Sequence, residues 1–235
     1  MPKKNVPSAK ELEFLKQTRS SVVEDVVRHL NIGPHVAMGL HPVSPFGLGK
    51  PHVAGPAFTI RFLPRRGTGL KHYDHYDVIA MAKAGDVIVA EAYGSISSIG
   101  HAANWIAHCM QYGVQAWIAD GYMRGIAEVV ECEFPVFYRG VTAVHGDDEI
   151  VDFNVPVNCA GAQVRAGDIV VADDDGVVVI PLEAYDRVLP VVKESVPLEN
   201  EQLRLIRNKA PLAEIHGFRA NYHSPVEGGK SHNGG

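Results

Sequence analysis

The residues best suited to chemistry stand together at Ala119-Asp120-Gly121-Tyr122-Met123-Arg124-Gly125-Ile126-Ala127-Glu128. A guanidinium grips a carboxylate or a developing oxyanion through two parallel hydrogen bonds, which a lysine does not do. Arg124 follows an apolar run, Val114 to Ile118, that reads as a buried strand. It therefore comes near the C-terminal edge of a sheet, where open α/β folds bind ligands. An ion pair of Arg124 with Asp120 or Glu128 explains the same residues without a ligand, and the two readings weigh about equally on the residues alone.

Other clusters invite functional readings. Gly94, Ser95, Ser97, Ser98 and Gly100 belong to a loop-to-helix entry from Tyr93 to Asn104, with a small-residue loop over Tyr93 to Ser98. Backbone N–H groups in such an entry can approach a carboxylate or phosphate. His101, in the first turn of that helix, is placed to act as an acid or base, while His108 reads as packing. His72-Tyr73-Asp74-His75-Tyr76-Asp77 mixes metal-ligating types without a zinc-type spacing, and Asp74 doubles as a helix cap. Asp173-Asp174-Asp175-Gly176 lies between valine-rich runs and reads as a hairpin turn, not as a calcium loop.

These residues need a frame. Ser8 and Glu11 have capping-box form and open a helix reaching about Leu30, with a break near Ser20-Ser21 and a stop at Gly33-Pro34. Val36 to Lys50 is a long Gly- and Pro-rich loop, and Arg65 to Gly69 a basic one. Strands are expected over 53–63, 87–90, 114–119, 135–138, 169–172 and 177–180. Helices are expected over 76–83, 100–112 and 126–132, with Pro181 opening another that is interrupted or ends at Pro190 and a charged helix over about 198–208. The strand–helix–strand order predicts neighbouring parallel strands with a right-handed crossover. The expected architecture is one α/β domain over 1–217, with N- and C-terminal helical arms, and a flexible tail over 218–235.

The 235 residues, 46% hydrophobic and 21% charged, describe an ordinary globular chain. A formal net charge of −5 with no basic stripe argues against nucleic acid as a partner. The three cysteines, Cys109, Cys132 and Cys159, are too scattered for a disulfide framework or a zinc knuckle. The polar opening Met-Pro-Lys-Lys-Asn lacks the apolar core of a signal peptide, and no apolar run suits a membrane span. A cytoplasmic protein is the expectation.

Several segments together resemble the RraA-like family, which includes the 4-hydroxy-4-methyl-2-oxoglutarate / 4-carboxy-4-hydroxy-2-oxoadipate aldolases. They are Gly55 to Ile60, Ala84 to Val89, Tyr112 to Arg124 and, most specifically, Arg165 to Pro181, and their order fits the family from about Thr18 to Gly217. The resemblance implies a swivelling β/β/α-type fold, a homotrimer or dimer of trimers with sites between subunits, and cleavage of small oxo acids to pyruvate and a second oxo acid. It also implies a divalent Mg or Mn ion acting as Lewis acid, and Arg124 as the substrate clamp. Arg124, Asp120 and His101 are then the candidate catalytic residues. Gly100, Ala102, Ala103 and Asn104 line the substrate cradle with Arg124, and Glu128 and His75 are candidate metal ligands. The chain departs from the aldolase pattern at Gly125, where an Asp approaches the metal, and at Ala102 and Ala103, where a glycine and an acid are expected. The RraA regulator, which inhibits ribonuclease E without being an aldolase, also lacks that Asp.

Overall fold

The structure, a computed structural model, describes residues 6–43, 53–65 and 73–221, and the side chains of all of these except 97–103 and 219–221. The chain opens with α1 (Ala9–Lys16) and α2 (Ser20–His29), then the short strands β1 (Val36–Ala37) and β2 (His41–Pro42). The central elements are β3 (Val53–Pro64), α3 (His75–Ile79), β4 (Val87–His101), α4 (Ala102–Gln111), β5 (Ala116–Arg124) and α5 (Ile126–Glu131). They are followed by β6 (Val136–Tyr138), β7 (Gly140–Val141), β8 (Asp148–Phe153), and a separate hairpin of β9 (Val157–Cys159) and β10 (Ala162–Val164). β11 (Ile169–Asp173), β12 (Gly176–Ile180), a 3-10 turn over Leu182–Ala184, α6 (Tyr185–Arg207) and α7 (Leu212–Asn221) complete it.

The main sheet runs β1-β12-β11-β3-β4-β5-β6-β2, with β8 added to β3 and β7 to β5. Its centre is parallel: β3 pairs β4 from Ala57–Val87 onward, and β5 pairs both β4 and β6. The first residues of β3 instead pair antiparallel with β11, so this one strand joins two differently oriented halves. Alternation sorts the side chains. Phe58, Ile60, Ile88 and Trp117 face α3, α4 and α5. Ala57, Val87, Val89 and Ile118 face the opposite way, onto β9, β10 and the inner faces of β11 and β12. The outer faces of β11 and β12 bury Ile169, Val171 and Val178 under α1, α2 and α6. This helix–sheet–sheet–helix order is the α/β class with helical arms expected from the sequence.

Local chemistry explains the helix ends. Ser8 and Glu11 form the reciprocal capping box at α1. α2 is capped from across the fold: Asp173 accepts the Ser20 N–H at 2.7 Å and the Ser20 hydroxyl at 2.5 Å, as well as the Asp175 N–H at 3.0 Å. The acidic turn therefore holds an arm in place, in keeping with its reading as a hairpin. Asp74 caps α3 by accepting from Tyr76 N and Asp77 N.

Three expectations need correction. The small-residue segment 93–98 is not a loop: β4 continues through it to His101, with Tyr93 at φ 52 and Gly94 at φ 68 and repeated slips against β5. Small residues are compatible with a heavily bulged strand, and composition does not tell one from a loop. His101 accordingly ends a strand and does not sit in the first turn of α4. α6 is unbroken through Pro190 and Pro197. Both prolines are exposed, so water can take the carbonyls they leave unpaired, while Val188, Leu189 and Val192 bury the other face. α7 ends at Asn221; residues 1–5, 44–52, 66–72 and 222–235 lie outside the described residues.

Gly55 marks the tightest approach in the sheet. A Cβ there would lie 2.3 Å from the Gly85 carbonyl oxygen and 3.1 Å from Val87 Cγ2. Backbone does not yield as a side chain does, so Gly55→Ala is expected to lower unfolding free energy by about 1–3 kcal/mol or more. Urea denaturation with an unchanged midpoint would show that β3 and β4 can separate freely at this point.

Candidate active site

Arg124 is the last residue of β5 and pairs in register with His101, the last residue of β4. Two parallel strands thus deliver both candidates to one C-terminal edge. Gly125 follows with φ 70 and ψ 39, a left-handed step that turns the chain directly into α5. Glycine adopts this conformation without strain, which gives position 125 a backbone role of its own. Gly100, Ala102 and Ala103 belong to the β4–α4 junction, and Asn104 is exposed on α4. The side chains of His101, Ala102 and Ala103 lie outside the described ones.

Asp120 does not pair with Arg124. It is buried, takes a hydrogen bond from Arg139 Nε, and accepts the Ala160 N–H at 3.0 Å. Each of its oxygens thus accepts a hydrogen bond, one from a guanidinium and one from a backbone amide. A parallel arrangement lies one strand away. Buried Glu91 on β4 accepts from Arg61 Nε at 2.6 Å and from Asn158 N at 2.9 Å. The hydrogen bonds to Glu91 and Asp120 raise the Arg61 and Arg139 pKa values further, so both guanidiniums stay charged. Cys159, between the two anchored amides, is fully buried; burial, then the Asp120 charge, pushes its thiol up and makes it a poor nucleophile.

Arg139, Arg61 and Glu91 were not singled out by sequence. One signal was readable: Arg139 follows the strand Pro135 to Tyr138 as Arg124 follows its own.

The metal expectation fares differently. His75 is half-buried and packs at a tilt against Trp105, centroids 4.3 Å apart, with Phe62 stacked on it at 6.3 Å. Glu128 is exposed in the first turn of α5. Among the described residues no three His, Cys, Asp or Glu side chains gather as a cation site requires. A site on His75 and Glu128 would need a third donor that those residues do not bring to it. With glycine at 125, this donor set does not fit the ion that the resemblance implies.

A family model described as RraA-like (Aldolase/RraA) matches residues 20–179. The chain belongs to the RraA-like family. Within it, the chain is 28% identical over 188 residues to a Halalkalibacterium halodurans protein named Putative 4-hydroxy-4-methyl-2-oxoglutarate aldolase, covering 80% of this chain and 85% of that one. It is 27% identical over 186 residues to DlpA of Legionella pneumophila, covering 78% of this chain but only 30% of that longer protein. Among solved structures, Streptomyces coelicolor RraAS2, described as an unusual member of the RNase ES inhibitor RraA family, is 26% identical with a TM-score of 0.76, over 84% of this chain and 99% of that one. An uncharacterized Pseudomonas syringae protein shares the fold, with a TM-score of 0.79 at 19% identity, over 94% of this chain and 97% of that one. RraA-like proteins include oxo-acid aldolases and non-catalytic RraA regulators. Among the described residues, no helix is long and apolar enough to cross a membrane.

Proposed function

We propose that this RraA-like chain is a lyase acting on a small 2-oxo acid, with Arg124 as its carboxylate or oxyanion clamp. The observation that supports it is the placement of Arg124 and His101 as paired terminal residues of β5 and β4, at the sheet edge suited to a small anion. In aldol cleavage the 4-hydroxyl loses its proton to a base, for which His101 is the candidate. The C3–C4 bond breaks, and its electron pair remains on the pyruvyl fragment as an enolate. The Arg124 fork stabilises that negative charge, and C3 is then protonated to give pyruvate. In decarboxylation carbon dioxide leaves in place of the second oxo acid, and no base is needed.

The working form in this reading is a cytoplasmic homotrimer or dimer of trimers. Tyr93, Ile96, Val141 and Val144, all exposed and apolar, support self-association.

The test is pyruvate release from oxaloacetate and from 4-hydroxy-2-oxo acids, with Mg²⁺, with Mn²⁺ and with EDTA. Turnover in any arm supports the lyase. Its absence in all of them leaves a regulatory, RraA-type binding protein, the reading that Gly125 and the likeness to RraAS2 favour. A further expected result concerns Gly125→Asp. Manganese titration by calorimetry should show tighter binding than in the parent, at a stability loss of about 1 kcal/mol for a side chain in the left-handed region. Equal manganese affinity would mean that position 125 faces away from any cation site.

A further inference from the structure

Cleavage leaves an enolate whose C3 must gain a proton before pyruvate departs, and β5 places a phenol beside Arg124. Ala119 and Met123 are buried in the helix-side core, so by alternation Asp120, Tyr122 and Arg124 share the opposite face. Tyr122 and Arg124 are half-buried, while the other residues of β5 are buried. Two residues of strand set them about 6.5–7 Å apart. A 2-oxo acid gripped at one end by Arg124 and lying back along the strand brings its C3 toward Tyr122.

The ring of Tyr122 has a seat of its own. It crosses Gly140, its partner in the β5–β7 pairing, where a Cβ would lie 2.8 Å from Cε1 and 3.3 Å from Cδ1. Glycine at 140 therefore makes room for this ring. The residue before it, Arg139, lies near enough to interact electrostatically with the phenol. Arg139 is anchored in turn: its Nε donates to buried Asp120 and its backbone N–H to Gly121 O at 2.9 Å. Among the described residues the Tyr122 hydroxyl makes no hydrogen bond, which leaves it open to a ligand. A negative charge formed on that oxygen finds a fixed guanidinium already beside it, with no reorganisation needed.

We infer that Tyr122 is the acid that protonates C3 of the enolate, with Arg139 as its counter-charge. This rests on the reading of the Arg124 edge as a lyase site, and it names the proton donor which that reading lacks. The phenolic O–H bond breaks, the enolate electron pair forms the new C3–H bond, and the C2 oxygen becomes the 2-oxo group. The negative charge passes to the phenolate. That phenolate regains a proton from the base protonated in aldol cleavage or, after decarboxylation, from water. Tyr122 is the catalytic residue; Arg139 and Asp120 are positioning residues.

The test separates protonation from bond cleavage. Protonation run backwards removes a proton from the methyl group of pyruvate, and NMR reads it as deuterium exchange in D₂O. Cleavage is read as carbon dioxide release from oxaloacetate. Both are measured on the full chain with Mg²⁺, with Mn²⁺ and with EDTA. Relative to carbon dioxide release, exchange should fall by about two orders of magnitude in Tyr122→Phe, the usual worth of a positioned acid. The double variant Arg139→Gln/Asp120→Asn removes the counter-charge without stranding a buried carboxylate, and the same ratio should fall at least about tenfold. A merely structural role would lower both rates together and leave the ratio unchanged. A wild type that turns over an oxo acid without exchanging the methyl protons, or a ratio kept in either variant, would overturn the inference and leave the lyase standing. Exchange that depends on Tyr122, without turnover of any oxo acid, would uphold it and remove the lyase. A wild type with neither exchange nor turnover would remove both.

Discussion

Arg124→Ala should lower kcat/KM for oxo-acid cleavage by about two to three orders of magnitude, the range found when one oxyanion-stabilising donor is removed. The loss should fall mainly on kcat. An enolate oxygen carries full negative charge only as the carbon–carbon bond breaks, so the guanidinium binds the transition state more strongly than the ground state. Arg124→Lys should recover only a small part, since an ammonium cannot reproduce the two-pronged contact. The measurement is steady-state pyruvate release from wild type and both variants under the same metal conditions. A kcat/KM for Arg124→Ala within about threefold of wild type would remove Arg124 from the chemistry, whatever the family likeness.

Asp120→Ala is the change at this end of the sheet with the largest expected cost in stability. It removes the partner of Arg139 and the acceptor of the Ala160 N–H together. Losing one member of a buried ion pair costs about 3–5 kcal/mol, and the part-exposed guanidinium brings the expectation to about 2–4 kcal/mol. Asp120→Asn keeps an acceptor for Ala160 and should cost less, about 1 kcal/mol. Urea unfolding compares the three proteins. A loss below about 0.5 kcal/mol in Asp120→Ala would mean that water replaces the carboxylate at no cost.

Much of this was readable from the chain, for reasons that differ from element to element. The capping box at Ser8, the turn at Asp173 and the parallel neighbours β4 and β5 follow from local patterns: a cap at fixed spacing, a turn between valine runs, a crossover helix of ordinary length. The second half of β4 was not readable, because glycine and serine do not separate a bulged strand from a loop. α6 continues past Pro190, against the local signal, because tertiary burial of Val188, Leu189 and Val192 outweighs two helix-breaking residues on the wet side. At the site, Arg124 was legible from its place after an apolar run. Its relation to Asp120 was not, because the competing partner, Arg139, is distant in sequence and reaches back from the end of another strand. The pairing of Glu91 with Arg61 is hidden in the same way: strands adjacent in the sheet bring the two together, not a spacing along the chain.

The two buried acids have one more consequence. Asn158 and Ala160 give their backbone amides to side-chain carboxylates on the main sheet, although Asn158 also stands opposite Gln163 in the β9–β10 hairpin. The solvent-exchange lifetimes of those two amide protons therefore report on the acceptors Glu91 and Asp120. Deuterium uptake at Ala160 becomes a direct gauge of whether the Asp120 carboxylate is in place, and uptake at Asn158 does the same for Glu91. Two neighbouring positions on one short segment thus read out two different ion pairs independently.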